Sequence, residues 1–191
     1  MSLLKADFDE LRERIRHGRD LGNAGFEPVY YLVFAPSLII EAKRQTPAWV
    51  SRLKKDGWQV TVFSVAQAID EILVADPRCT IWKGADTRSP MDWDRVNSAL
   101  TNAVTGAKGL LSRIEAQLAE LEGRPNQLLL VTDLEALHPY LRISTIEGQL
   151  IGRFKVPTVF LYPGKRTGRT GLQFLGFYPS DGNYRSVHVG G

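Results

Sequence analysis

The fold is decided by the stretch Gln127-Leu-Leu-Leu-Val-Thr-Asp133, together with a second apolar run, Val156-Pro-Thr-Val-Phe-Leu-Tyr162. Each is a continuous hydrophobic run bounded by turn residues, which is typical of a strand buried on both faces of a parallel sheet. Between them, Pro139 to Leu150 has a helical pattern. Two parallel strands need a crossover of this kind, so the stretch predicts a strand–helix–strand unit.

The residues that follow the second run predict a loop and two further strands. Pro163 to Gly171 reads as a glycine-rich basic loop, and Leu172 to Phe177 reads as a strand that is antiparallel or at an edge of the sheet. Asp181-Gly182-Asn183 is a strong turn signal between this strand and the last one. We expect Tyr184 and Arg185 to lie on opposite faces of the last strand.

Upstream, strands and helices alternate. Val29 to Ala35 and Gln59 to Phe63 predict two more strands. Helices are predicted for the amphipathic stretch Leu3 to Arg16, from Pro47 to Asp56, from Ser64 to Asp76 and, with a break near Gly106 and Gly109, from Pro90 to Gly123. Cys79 to Pro90 is predicted to be a loop or a short insertion. The order predicts a single three-layer α/β domain over residues 1–191.

That domain should contain a central, mostly parallel sheet of at least four strands, flanked by helices and with antiparallel C-terminal strands. Hydrophobic residues make up 43% and charged residues 24% of the 191 residues, which is ordinary for a globular protein. The single Cys79 excludes an internal disulfide framework. The chain has neither a long apolar run nor a signal-peptide pattern, so a cytoplasmic location is expected.

The excess positive charge lies in the C-terminal third. From Arg142 onward there are seven basic and two acidic residues, whereas the net charge of the whole chain is +3. The candidate basic surface consists of Arg142, Lys165, Arg166, Arg169 and Arg185. These residues either meet an acidic partner or a phosphate backbone, or are dispersed and solvated.

No familiar catalytic motif is present. Gly164-Lys165-Arg166-Thr167-Gly168 lacks the spacing of a phosphate-binding loop, and no helix is predicted to follow it. Asp133 is predicted at the carboxyl end of a central strand, where α/β folds bind ligands, although an Asp there also fits a helix or turn cap. His138 and Cys79 have no recognisable catalytic or metal-binding partners in sequence. No catalytic residue, metal or cofactor is therefore expected.

Three C-terminal segments carry a resemblance to a known family: HPYLRISTIEGQL, VPTVFLYPG with the following TG and GLQFLG, and SDGNYRSVHV. Over Leu137 to Val189 the chain resembles the BrxB family of bacterial BREX phage-defence systems. The resemblance implies a cytoplasmic component of an anti-phage complex with no established catalytic activity of its own. Its implied partners are the PglZ phosphatase-like protein, the BrxC ATPase and the PglX methyltransferase.

The sequence thus favours a non-catalytic adaptor whose C-terminal motif region, including Asp181, Gly182, Asn183 and Tyr184, forms the functional surface. Two alternatives remain open. One is a nucleic-acid-binding accessory protein that uses the basic C-terminal loop. The other is a metal- or nucleotide-dependent hydrolase that uses Asp133 and His138.

Overall fold

The computed structural model describes residues 3–20, 27–168, 171–181 and 186–191. Its strands are β1 (Val29–Phe34), β2 (Gln59–Ser64), β3 (Gln127–Thr132), β4 (Thr158–Thr167), β5 (Gly171–Phe174) and β6 (Val187–Gly190). The sheet order is β2-β3-β4-β1-β6, and all of these neighbours are parallel. The predicted α/β fold with a central parallel sheet is confirmed.

Helices cover both faces of this sheet. They are α1 (Leu3–Asp20), α2 (Ile39–Lys55), α3 (Val65–Ala75), α4 (Cys79–Arg88), α5 (Trp93–Thr105), α6 (Leu110–Leu121) and α7 (Ile143–Gln149). The buried stripes of α1 and α2 form one core with alternate side chains of β1, β3 and β4. The opposite side chains of the same strands form a second core with α3, α6 and α7. Because each central strand is buried on both faces, its sequence is continuously apolar.

The C-terminal strands are only partly as predicted. β5 pairs antiparallel with the outer part of β4, as expected. β6, in contrast, is parallel to β1 and forms the edge of the sheet, so the prediction of two antiparallel strands is wrong for the last one. The chain reverses earlier than predicted, at Leu175 and Gly176, which both have positive φ. It then returns along β5, where Asp181 bridges Leu172, and Gly182 and Asn183 of the predicted turn lie outside the described residues.

The predicted basic loop is mostly strand. β4 continues through Thr167, and its pairing with β5 runs from Gly164 opposite Phe174 to Thr167 opposite Gly171. A side chain at Gly164 would meet the Gln173 carbonyl at 2.3 Å, so glycine is what allows the two backbones to approach. The glycines that suggested a loop therefore serve a close strand pair.

Three helix predictions need correction. α2 begins at Ile39 and contains Pro47 inside it, whereas the sequence placed the helix start at Pro47. Cys79 to Arg88 is helical rather than a loop. The stretch from Pro139 to Leu150 contains only the short helix α7, which a 3-10 turn at Leu134–Leu137 precedes. The predicted break near Gly106 and Gly109 is confirmed, since it separates α5 from α6.

Candidate functional site

Asp133 follows β3 at the carboxyl edge of the sheet, as the sequence predicted. Its Oδ2 accepts hydrogen bonds from Ser64 Oγ at 2.7 Å and Thr132 Oγ1 at 2.8 Å. Its Oδ1 lies 2.8 Å from Lys43 Nζ of α2, which also contacts Glu135 Oε1 at 2.6 Å. The Asp133 carboxylate thus links the end of β3 to the end of β2 and to helix α2.

This geometry changes the expected role of Asp133. The residue stands before a 3-10 turn in the left-handed region, with φ 60°, but its side chain makes no capping hydrogen bond. Burial raises the pKa of Asp133, but hydrogen bonds from Lys43, Ser64 and Thr132 outweigh burial and hold that pKa below its usual value. Three donors already bind the Asp133 carboxylate, so its role is structural. We call the contacts of Asp133 with Lys43, Ser64 and Thr132 the Asp133 tie.

A small cleft lies beside this tie, between α2 and the ends of β1, β3 and β4. Its volume is about 190 Å³, and its lining combines Lys43, Asp133 and Glu135 with apolar residues such as Phe34 and Leu161. Pockets for drug-sized ligands or cofactors are usually about 300–1,000 Å³. The cleft is smaller than this usual range.

His138 belongs to a different cluster from Asp133. Its Nδ1 contacts the Tyr178 hydroxyl, and its ring packs edge-on against Phe177 with centroids 5.4 Å apart. The Asp133 side chain instead bonds to Lys43, Ser64 and Thr132. No hydrogen bond or ion pair joins the side chains of Asp133 and His138, the two residues named in the hydrolase alternative.

The His138 cluster extends to Arg142 and Asp181. Arg142 lies over the Tyr178 ring, with its guanidinium carbon 5.0 Å from the centroid, and its Nη1 is 3.4 Å from Asp181 Oδ1. Ser144 Oγ donates to Asp181 Oδ2 at 2.8 Å. We call His138, Arg142, Phe177, Tyr178 and Asp181 the motif surface. It joins two sequence segments that are some 40 residues apart.

Phe177 is an exposed aromatic residue of the motif surface. Phe177 is 62% exposed, although its ring packs in a tilted arrangement against Tyr178, with centroids 4.7 Å apart, and edge-on against His138. The sequence pointed to Arg142 and Asp181, but it did not indicate that His138 would pack against Phe177. The adjacent aromatic residues Phe177 and Tyr178, next to a turn, were the available signal.

The predicted basic surface is only partly assembled. Arg142 is engaged by Asp181 and Tyr178. Lys165 and Arg166 are exposed neighbours on β4, so they point to opposite faces of the sheet. Arg166 pairs with Leu172 between β4 and β5, and Leu172 in turn bridges Asp181, the residue that contacts Arg142. Two strand spacings of about 4.8 Å each therefore separate Arg166 from Asp181. Arg169, Tyr184 and Arg185 lie outside the described residues.

A second polar cluster, which the sequence did not indicate, lies under the β1–β6 edge. Tyr31 donates a hydrogen bond of 2.6 Å to Glu147 Oε2 and packs edge-on against His188. Burial raises the pKa of Glu147. Burial and the nearby Arg166 lower the pKa of His188 to about 4. For both groups, burial shifts the protonation equilibrium toward the neutral form relative to an exposed side chain.

Two further findings concern the described part of the chain. It contains no group of three or more His, Cys, Asp or Glu side chains arranged to hold a metal ion. None of its helices has the length and apolar character needed to cross a membrane.

Comparison with known families identifies about three fifths of the chain, toward its C-terminus. A family model described as BREX protein BrxB matches residues 74–189 of the 191. The chain belongs to the BrxB family. It is therefore a component of a BREX phage-defence system. No curated protein and no solved structure matches the chain.

The BrxB match extends well beyond the motifs that carried the resemblance. It begins at the end of α3, includes α4, α5 and α6, and ends within β6. The whole motif surface lies inside it. The Asp133 tie crosses its boundary, because Lys43 and Ser64 lie outside the matched range.

Proposed function

We propose that this BrxB-family protein is a non-catalytic adaptor that docks another BREX protein on the motif surface. The observation that carries the proposal is the convergence of the two motif segments at Tyr178, which holds the exposed ring of Phe177 at its side. An exposed aromatic ring adds little to the stability of the folded chain, but it contributes strongly to the free energy of binding when a partner buries it.

The motif surface is held in place before any partner arrives. Arg142 is oriented by Asp181 and by the Tyr178 ring, while Tyr178 also contacts His138. Binding then requires little additional ordering of side chains, which reduces the entropic cost of association. Aromatic residues and Arg are also the types that are enriched at the energetic centres of interfaces. These features support a docking surface rather than a reactive site.

The partners follow from the family. The candidates are the PglZ phosphatase-like protein, the BrxC ATPase and the PglX methyltransferase, and the expected location is the cytoplasm. A tagged version of the chain, expressed with the remaining proteins of its own BREX operon, should co-purify with at least one of them at near-equal stoichiometry. A chain that elutes without any of them would contradict the proposal.

The absence of catalysis is part of the same proposal. The polar groups at the carboxyl edge are engaged with one another through Lys43, Asp133 and Ser64, and the adjoining cleft is small. We expect the melting temperature to be unchanged by Mg²⁺, Mn²⁺ or nucleotides, because a ligand that binds the folded state would raise it. A saturable increase of several degrees that Asp133→Asn removes would favour the hydrolase alternative instead.

One observation supports nucleic-acid binding as a second candidate. Lys165 and Arg166 are exposed on a hairpin that projects from the sheet. Binding through such groups should weaken with salt, with a logarithmic slope near −0.9 for each phosphate neutralised. A titration of duplex DNA at several salt concentrations tests this candidate. Replacement of Lys165, Arg166 and Arg169 by Ala should reduce the slope, and an unchanged slope would exclude the hairpin.

A further inference from the structure

The outer edge of β2 is an open and uncharged sheet edge. β2 is the terminal strand in the sheet order, and no described strand pairs with its outer side. From Gly57 to Ile69 the sequence contains neither an ionisable residue nor a proline. Proteins usually protect exposed edges with charges, prolines, bulges or very short strands. β2 is six residues long and uses none of these protections.

The backbone of β2 presents defined hydrogen-bonding groups to the outside. Gln59 N donates to Asn126 O at 2.8 Å, so Gln59 and every second residue after it face β3. The N–H and C=O groups of Val60 and Val62 consequently point outward. A strand is the structure that satisfies these groups completely.

The side chains beside this edge are also incompletely covered. Val62 is 46% exposed although it is a β-branched residue in a strand. A groove of about 380 Å³ lies beside the same end of the strand, where it is lined by Val62, Phe63 and Ser64. The α6 wall of this groove presents Arg113, Ala116, Gln117 and Glu120.

We propose that β2 pairs with β2 of a second copy of this chain, which forms a two-fold dimer with one continuous sheet. A two-fold axis perpendicular to the sheet makes the two strands antiparallel and preserves which face each side chain occupies. With the axis at Thr61, Val60 of each copy lies opposite Val62 of the other. Each such pair exchanges both of its outward backbone hydrogen bonds. Thr61 lies opposite itself, and Thr–Thr pairs are favourable in such ladders.

The charges on α6 fit a second copy. Arg113 and Glu120 are seven residues apart, or about 10.5 Å along the helix, and Ala116 and Gln117 lie midway between them. These α6 residues line a groove together with Val62, Phe63 and Ser64, so they lie beside the same edge strand. The same rotation brings the two α6 helices side by side in opposite directions. Arg113 of each copy then faces Glu120 of the other, while it keeps its 2.7 Å bond to its own Glu71.

Sedimentation or light scattering of the purified full-length chain tests the proposal between about 1 and 100 µM. We expect a mass near twice 21.4 kDa. Val62→Pro removes an outward N–H that the β2–β3 ladder does not use, so it should preserve folding and weaken dimerisation at least about tenfold. Val62→Thr keeps that N–H and should remain dimeric.

The charge pair gives an independent arm if Val62→Pro does not fold. Arg113→Glu and Glu120→Arg should each weaken the dimer, and the double variant should restore it, since the two charges then exchange places. A wild-type chain that stays monomeric at 100 µM would overturn the proposal. So would a dimer that none of these variants weakens, or one in which the double variant gives no recovery.

Discussion

At the scale of single residues, Asp133 ties the two faces of the sheet together. Asp133→Ala leaves Ser64 and Thr132 without their acceptor and removes one of the two carboxylates that hold Lys43. We expect a loss of about 1–3 kcal/mol in the free energy of unfolding at pH 7, measured by urea denaturation. Asp86→Ala is the matched control, because Asp86 is exposed on α4, and it should change stability by less than about 0.5 kcal/mol.

The effect of Asp133 should depend on pH in a defined direction. Its folded pKa lies below the usual value of 3.8, so the ionised carboxylate stabilises the folded protein above that value. The stabilisation disappears as the pH falls through the folded pKa. The difference between wild type and Asp133→Ala should therefore shrink below about pH 4. A constant difference from pH 7 to pH 3 would contradict the charge-based role.

Glu147 should show the opposite pH dependence. Burial raises its folded pKa above the usual value of 4.5, so ionisation favours the unfolded chain as the pH rises above that value. Glu147→Gln keeps an acceptor for the Tyr31 hydroxyl and removes the charge. We expect the variant to melt at a higher temperature than wild type at pH 8, with no difference near pH 4. Equal melting temperatures at both pH values would exclude this role.

At the scale of elements, the break between α5 and α6 depends on Gly109. A Cβ at this position would lie 2.1 Å from the Val104 carbonyl oxygen and 2.8 Å from that of Gly106. Gly109→Ala should therefore force the two helices apart and lower stability by more than about 1 kcal/mol. Gly84 lies within α4 with no heavy atom near its Cβ position. Gly84→Ala should stabilise the protein by about 0.5–1 kcal/mol in the same thermal or urea assay, and the opposite ranking would contradict the structure.

Elements whose boundaries depend on local signals were predicted well. Ser64 accepts from Gln67 N at the start of α3, as its sequence pattern indicated, although the Gln67 side chain bonds to Glu71 instead of completing the capping box.

Pro47, in contrast, led to a wrong helix boundary, because a proline is common in the first turn of a helix. It is accommodated inside α2 next to Thr46, whose hydroxyl donates to the Ala42 carbonyl. Tertiary packing of Ala42 and Trp49 on the sheet decides the helix length.

At the scale of the whole molecule, the layered fold was predictable, whereas the motif surface was not. The continuous apolar runs of β1, β3 and β4 are enough to predict central strands, without information from the rest of the chain. The contact between His138 and Tyr178 requires the chain reversal at Leu175 and Gly176. A reversal of this kind leaves no periodic pattern of hydrophobic residues in the sequence. Arg142 was therefore assigned to a basic surface, although Asp181 partly neutralises it.

The central claim is that this BREX component works by docking a partner on the motif surface. Its most direct test compares two exposed aromatic residues in the matched region, Phe177 on the motif surface and Trp93 at the start of α5, which are 62% and 66% exposed. Each is changed to Ala in the tagged chain, and the co-purified BREX proteins are quantified. We expect Phe177→Ala to reduce recovery at least about tenfold and Trp93→Ala to leave it unchanged. Equal recovery with both variants, at equal folded stability, would contradict the claim.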